Sequence, residues 1–244
     1  MFRLTVLGTA APYPQPDRPC AGYLLRTDAA KVWVDAGPGS MANLLKHVRL
    51  EELDAIWLSH LHADHTLDLI NAYYALLFGH LPKVAPIPVY APAGMADKVD
   101  GFFLAKGVAD AVLELRELSD GHEVTFKDLT LLSKAVEHGC EAYGLRATAD
   151  GRALVYSGDC APSPGLDELA ARADVLLCEA DVDQPSEVHH TPEDAGALAR
   201  RADVGRLVVT HVGPALDRFE ATDRAAAVFG GPTLTAVENE SLTV

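Results

Sequence analysis

Short apolar runs alternate along the chain with longer stretches whose apolar positions recur every three or four residues, the periods of buried strands and amphipathic helices. Phe2–Leu7, Gly22–Arg26 and Lys31–Asp35 read as three strands, the third closed by Asp35-Ala36-Gly37-Pro38-Gly39. Met41–Val48 reads as helical, Asp54–Ser59 as a buried strand ending at His60, and Asp64–Phe78 as a helix. Val89–Ala91 is a short strand and Ala93–Ala105 a helix. The middle reverts to strands over Val112–Leu118, His122–Phe126, Leu129–Val136 and Tyr143–Ala149, and Asp150-Gly151 turns the chain as a hairpin into Arg152–Ser157. Helix Leu166–Arg172, strand Val175–Cys178, helix Pro192–Ala202, strand Leu207–Thr210 and helix Ala215–Phe229 follow, and Thr233–Val244 supplies one or two closing strands. No linker or repeat interrupts this order, so residues 1–244 are expected to form one α/β domain, two sheets packed together with helices outside.

Composition narrows the function. A chain of 244 residues with 49% hydrophobic and 23% charged residues can bury a large core and is ordinary for a globular protein. The net charge of -15 argues against a protein that grips long nucleic acid through a basic surface. A small anionic substrate stays open, because bound divalent cations would reverse the sign locally. Cys20, Cys140, Cys160 and Cys178 form no C-x-x-C pair, which fits a reduced compartment. Phe2–Leu7 is too short for a signal segment, and no run approaches the roughly 20 apolar residues of a membrane span. A cytoplasmic protein that engages no membrane is expected.

Polar residues recur where apolar strands end. Ile56-Trp57-Leu58-Ser59 runs into His60, Lys134-Ala135-Val136 into Glu137-His138, Leu154-Val155-Tyr156-Ser157-Gly158 into Asp159, and Leu207-Val208-Val209-Thr210 into His211. Strand ends aim side chains rigidly, as a site assembled from distant segments requires. Ser59-His60-Leu61-His62-Ala63-Asp64-His65 is the densest of these signals, with three imidazoles and a carboxylate at a strand end. Neutral imidazole with carboxylate suits zinc, manganese or iron better than calcium or magnesium. His60 and His62 can point one way from an extended turn, and Asp64 and His65 can face a second ion. The competing reading makes Asp64 a helix N-cap on a solvated terminus.

These residues resemble the metallo-β-lactamase superfamily, and more closely its ribonuclease Z-like phosphodiesterase branch. Val32–Gly39 is similar to the strand ending in D-x-G-x-G, His60–His65 to H-x-H-x-D-H, Val136-Glu137-His138 with Tyr143-Gly144 to the third motif, Ser157-Gly158-Asp159 to S-G-D, and Val209-Thr210-His211 to the closing histidine. His189-His190-Thr191 before Glu193-Asp194-Ala195-Gly196 is similar to the H-x-[ST] motif of the phosphodiesterase branch. The resemblance implies a four-layer αββα sandwich holding two divalent metal ions, zinc first, with manganese or iron as alternatives. It places one ion on His60, His62 and His138 and the other on Asp64, His65 and His211, with Asp159 bridging them. A hydroxide between the metals is then the nucleophile, Asp64 can orient it, and His189 stabilises the transition state or protonates the departing oxygen. His190 competes with His189 for that role. Asp35 is expected to buttress a ligand, and Glu179 and Asp181 to make structural hydrogen bonds.

Two departures from the branch bear on substrate. Thr66-Leu67-Asp68-Leu69 stands where the family commonly has a Gly, and Cys160 where it has Thr after S-G-D. Transfer-RNA-processing members carry a long arm between the third motif and S-G-D, whereas here little more than a hairpin joins His138 to Asp159. With the acidic charge, this points to a small phosphodiester such as the cyclic nucleotide cAMP, similar to actinobacterial-type cyclic nucleotide phosphodiesterases. A ribonuclease Z-like RNA 3′-end endonuclease and a lactone, thioester or β-lactam hydrolase are the alternatives. Branch members are commonly dimers, so a homodimer is a further implication.

Overall fold

The computed structural model describes residues 1–82 and 85–244. Its strands are β1 (Arg3–Gly8), β2 (Gly22–Arg26), β3 (Lys31–Ala36), β4 (Ala55–Trp57), β5 (Ile87–Ala91), β6 (Leu113–Glu117), β7 (Glu123–Phe126), β8 (Leu129–Ala135), β9 (Tyr143–Ala149), β10 (Arg152–Tyr156), β11 (Val175–Glu179), β12 (Leu207–Thr210), β13 (Thr233–Thr235) and β14 (Ser241–Thr243). Its helices are α1 (Ser40–Leu44), α2 (Ala63–Thr66), α3 (Asp68–Phe78), α4 (Met95–Phe103), α5 (Pro164–Ala170), α6 (Pro192–Arg201) and α7 (Arg218–Phe229). One sheet runs β14-β1-β2-β3-β4-β5-β6 and the other β13-β12-β11-β10-β9-β8-β7, both mixing parallel and antiparallel pairs.

Alternation along the strands builds the layers. Val32 and Val34 of β3 and Ala55 and Trp57 of β4 join Leu154 and Tyr156 of β10 and Leu177 of β11 in one buried cluster between the sheets. The intervening residues Trp33 and Ile56 pack outward under α1, α3 and α4 with Leu44, Leu69 and Val99. In the other sheet Val155, Leu176 and Cys178 pack under α5, α6 and α7 with Leu166, Leu198 and Ala225. Strands buried on both faces read as unbroken apolar runs, and that is the pattern of β4, β10, β11 and β12. The expected four-layer αββα sandwich is therefore the observed one. Among the described residues, no helix is long and apolar enough to cross a membrane.

The boundaries differ in places for local reasons. The stretch Asp64–Phe78 is two helices, because Leu67 accepts an i→i+3 bond from Ile70 instead of continuing the i→i+4 ladder. Met41–Val48 shortens to α1, whose end is anchored by Asn43 donating to Leu7 O at 2.7 Å. The helix expected from Ala215 starts at Arg218, where the Asp217 side chain accepts from the Phe219 and Glu220 N–H groups. The tail forms two strands, β13 beside β12 and β14 beside β1, one closing each sheet. Asp150 and Gly151 both take positive φ, +53° and +72°, as the tight turn between β9 and β10 requires.

Candidate metal centre

The parallel strands β10, β11 and β12 end along one edge of their sheet, where Asp159, Glu179 and His211 stand. Asp35 closes β3, and His60 follows β4, its parallel neighbour in the other sheet. The third-motif loop meets the His60 turn through a bridge between His60 and Ala142. A Cβ on Gly37 would lie 2.0 Å from Asp64 O, so only glycine lets the D-A-G-P-G turn pack against the metal-binding segment. His211 takes a left-handed φ of +45° at its own strand end.

Two clusters result. His60 Nε2 lies 3.0 Å from His62 Nδ1, and His138 Nε2 lies 3.3 Å from the same atom. In the second cluster His65 Nε2 lies 3.1 Å from His211 Nε2, 3.6 Å from Asp64 Oδ2 and 3.3 Å from Asp159 Oδ1. Within each cluster the candidate ligand atoms lie within 4.8 Å of one another. Asp159 faces both clusters, with Oδ1 toward His65 and His211 and Oδ2 3.8 Å from His60 Nε2. All seven residues proposed from the sequence to hold metal, His60, His62, Asp64, His65, His138, Asp159 and His211, are thus brought together. Asp64 does not cap the helix. His62 occupies that position, and the Asp64 carboxylate faces the second cluster.

The hydrogen bonds behind the rings decide which nitrogens are lone pairs. Ser59 Oγ gives its one proton to Asp35 Oδ2 at 2.8 Å, so it must accept from His60 Nδ1 at 3.0 Å. His65 Nδ1 donates to Asp35 Oδ2 at 2.7 Å, and His138 Nδ1 to the Val188 carbonyl at 2.8 Å. In their neutral forms the Nε2 atoms of His60, His65 and His138 therefore turn bare lone pairs into the clusters. Asp159 Oδ1 is buried there without a hydrogen-bond partner. Lone pairs and an orphaned carboxylate oxygen converging on shared points fit cations, and the ligand chemistry fits zinc, manganese or iron.

Electrostatics agree. Burial by itself would raise Asp159, but the charges of His211, His65 and His60 outweigh it and hold the carboxyl well below its usual range. His65 and His211 resist burial and move upward, because Asp159 and its neighbouring carboxylates favour their protonated forms. Protons thus neutralise the carboxylates wherever cations do not, and cation binding would release them.

Beside this centre stands a pair that the sequence reading did not assemble. His189 Nδ1 lies 3.0 Å from Glu179 Oε1, and the His189 ring centroid is 5.2 Å from that of His138. Burial lifts Glu179 to about 7, and its bond to Glu179 lifts His189 to about 9 against the effect of burial. Glu179 is itself held by the N–H groups of Cys160 and Asp181, at 2.8 and 3.1 Å. His190 points elsewhere: it is fully buried, with Nδ1 2.5 Å from Cys160 O. Glu179, taken from the sequence as a structural residue, is thus the partner of His189, and the available signal was an E-x-D that starts on the last residue of the buried strand β11. Asp35, expected to support one ligand, supports histidines of both clusters.

The family description "Beta-lactamase superfamily domain" matches residues 30–212. An uncharacterised protein of Mycobacterium leprae is 34% identical, the alignment covering 99% of this chain and 88% of that protein. A ribonuclease Z of Mycobacterium marinum is 32% identical over 95% of this chain and 94% of its own length. The crystal structure of YhfI, a metallo-β-lactamase fold protein from Bacillus subtilis, superposes with a TM-score of 0.89 at 23% identity, covering 100% of both chains.

Proposed function

We propose that this chain, which belongs to the β-lactamase superfamily and is a metal-dependent hydrolase, hydrolyses a small phosphodiester, a 3′,5′-cyclic nucleotide such as cAMP being the best fit. The observation that carries the reading is the Glu179-held His189 beside the two ligand clusters. Two bound divalent ions, zinc first, would supply Lewis acidity toward a phosphoryl oxygen and lower the pKa of an attacking water. His60, His62 and His138 would hold one and Asp64, His65 and His211 the other, with Asp159 between them.

The chain's own residues do the rest. Asp64 Oδ2, within 3.6 Å of both His65 Nε2 and His211 Nε2, stands where it can accept a proton from the attacking water. Glu179 accepts the Nδ1 proton of His189, and because His189 is raised to about 9 its ring is an imidazolium at neutral pH, with a second proton on Nε2. As the new P–O bond forms and the 3′ ester bond breaks, that proton passes to the departing ribose oxygen, and the product is the 5′-monophosphate. An acyl hydrolase has no evident use for such a donor beside its oxyanion site.

The second reading, RNA 3′-end processing, is favoured by the ribonuclease Z relative, which aligns over 94% of its length. Zinc-, manganese- and iron-loaded protein is to be assayed on cAMP, cGMP, bis-p-nitrophenyl phosphate, a precursor tRNA, a lactone and a thioester. Cyclic nucleotide cleavage is expected, with a loss of about 10²–10⁴-fold in His189→Ala. Cyclic nucleotides and the model diester all left intact would refute the proposal. Full activity of His189→Ala would remove the role given to His189.

A further inference from the structure

His60, His65 and His138 are each tied through the nitrogen that faces away from the clusters, to Ser59, Asp35 and the Val188 carbonyl. His211 breaks the pattern. Its Nδ1 is buried without a hydrogen-bond partner, and the atom facing it, Asp181 Oδ1, is buried without one as well. The two lie 3.9 Å apart. A donor and an acceptor orphaned face to face form a hydrogen bond left open by about 1 Å, measured against the ~2.9 Å of a formed N–H···O contact. Both facing atoms are buried, and leaving them unpaired is costly, so the pair has reason to close.

The local fold keeps Asp181 in place for this. Its backbone N–H donates to Glu179 Oε2 at 3.1 Å, which fixes the turn after β11. Gly213, two residues past His211, gives it room: a Cβ there would sit 2.7 Å from Asp181 Oδ1 and 2.3 Å from Asp181 O. Among the described residues, Asp181 Oδ1 has no hydrogen-bond partner, so the oxygen facing His211 is not committed elsewhere.

We propose that Asp181 is the positioning residue for His211. Its carboxylate accepts the Nδ1 proton and thereby keeps Nε2 a lone pair aimed at Asp64, His65 and Asp159. A carboxylate behind a ligating imidazole fixes tautomer and ring direction and raises ligand basicity. The assignment rests on the reading of His211 as a metal ligand, and it adds the residue that makes His211 competent.

The test compares zinc binding by the full-length wild type, Asp181→Ala and Asp181→Asn, titrated against a chromogenic chelator that resolves the two stepwise affinities. Long-range ¹H–¹⁵N spectra of the zinc-loaded proteins report the His211 tautomer. Asp181→Ala should weaken one of the two ions by about 10–100-fold and leave the other unchanged. The His211 Nδ1–H resonance should move upfield or exchange with solvent in the same variant, because its hydrogen bond is lost. Asp181→Asn, whose amide oxygen still accepts, should recover most of the affinity. If Asp181→Ala melts too low to be loaded, Asp181→Leu, branched at Cγ like Asp but without an acceptor, takes its place. Unchanged stepwise affinities and an unchanged His211 signature in a well-folded Ala or Leu variant overturn the assignment. A wild type that binds no zinc overturns the metal-centre reading itself, a failure already visible before any variant is made.

Discussion

Replacing Asp35 by Asn tests the centre at a residue that supports its histidines from behind and belongs to neither ligand cluster. The carboxylate is fully buried and takes four protons: Ser59 N–H at 2.7 Å on Oδ1, and Ser59 O–H, His65 Nδ1–H and Tyr156 O–H at 2.8, 2.7 and 2.8 Å on Oδ2. An amide offers one oxygen and one donor group, so it cannot satisfy this set in either orientation. With the oxygen toward the three side chains, the NH₂ group meets the Ser59 N–H, and at least one buried donor is orphaned at a cost of about 1–3 kcal/mol. The three remaining bonds also lose their charge assistance, which roughly halves their strength. With the amide reversed, an NH₂ group faces His65 Nδ1. The imidazole must then accept there and carry its proton on Nε2, where it can no longer ligate.

Both orientations converge on the same outcome. Asp35→Asn should weaken zinc binding by about 10–100-fold and lower stability in chemical denaturation by at least the orphaned-donor cost. The effect should reach both ions, because His60 depends on Asp35 through Ser59 and His65 depends on it directly. Chelator competition measures the affinities, and urea titration of the metal-free protein measures the stability. A variant that keeps both affinities within twofold would refute the tautomer argument, since Asp35 would then be an ordinary buried carboxylate with replaceable bonds.

Other consequences are simpler to state. Removing the Glu179 charge in Glu179→Gln takes away the main force raising His189, so the alkaline limb of the kcat profile should move to lower pH; an unmoved limb would separate the two residues. His189 is raised to about 9, so its contribution to stability is complete below its ordinary 6.5 and is lost as pH climbs through 9. Urea midpoints of metal-free wild type should therefore fall between pH 6.5 and 9 more steeply than those of His189→Ala. Gly37→Ala puts a Cβ 2.0 Å from Asp64 O and must push the metal-binding segment away, so zinc retention and melting temperature should fall together.

The features legible in the sequence are those carried by local pattern. Apolar runs buried on both faces marked the central strands, and the polar residues just past their ends marked His60, Asp159 and His211 before any contact was visible. Asp150-Gly151 announced its hairpin because few residue pairs tolerate two positive φ values in succession. The break at Leu67 was not legible, since Asp64–Phe78 keeps helical spacing through it and only the bond from Ile70 reveals the tighter turn. The supporting carboxylates were harder still. Glu179 and Asp181 gain their roles from β11 ending opposite the His189 loop and the His211 turn, contacts between segments that sequence spacing does not relate. The choice between His189 and His190 also depended on packing, which buries one ring against Cys160 and leaves the other beside His138.

The choice between a small diester and RNA comes down to where the cations around the centre are engaged. Lys98 of α4 donates to Leu61 O, inside the metal-binding turn. Arg218 of α7 pairs with Glu238 at 3.0 Å, and Arg224 bonds Glu193 at 2.8 Å and Asp183 at 2.6 Å. Side chains committed in this way are poor partners for a phosphate backbone, and the net charge of -15 adds long-range repulsion. A polyanion held by several phosphate contacts loses roughly 10³–10⁵ in affinity between 50 and 200 mM salt, whereas a substrate with one phosphate releases few counterions. The KM for cAMP should accordingly change less than about tenfold across that range, with precursor tRNA bound weakly throughout. Steady-state kinetics at both salt concentrations, with the metal held saturating, measures this. A precursor tRNA cleaved with a higher kcat/KM than cAMP at low salt, and losing it steeply as salt rises, would overturn the small-substrate reading and leave the metal centre as RNA-processing machinery.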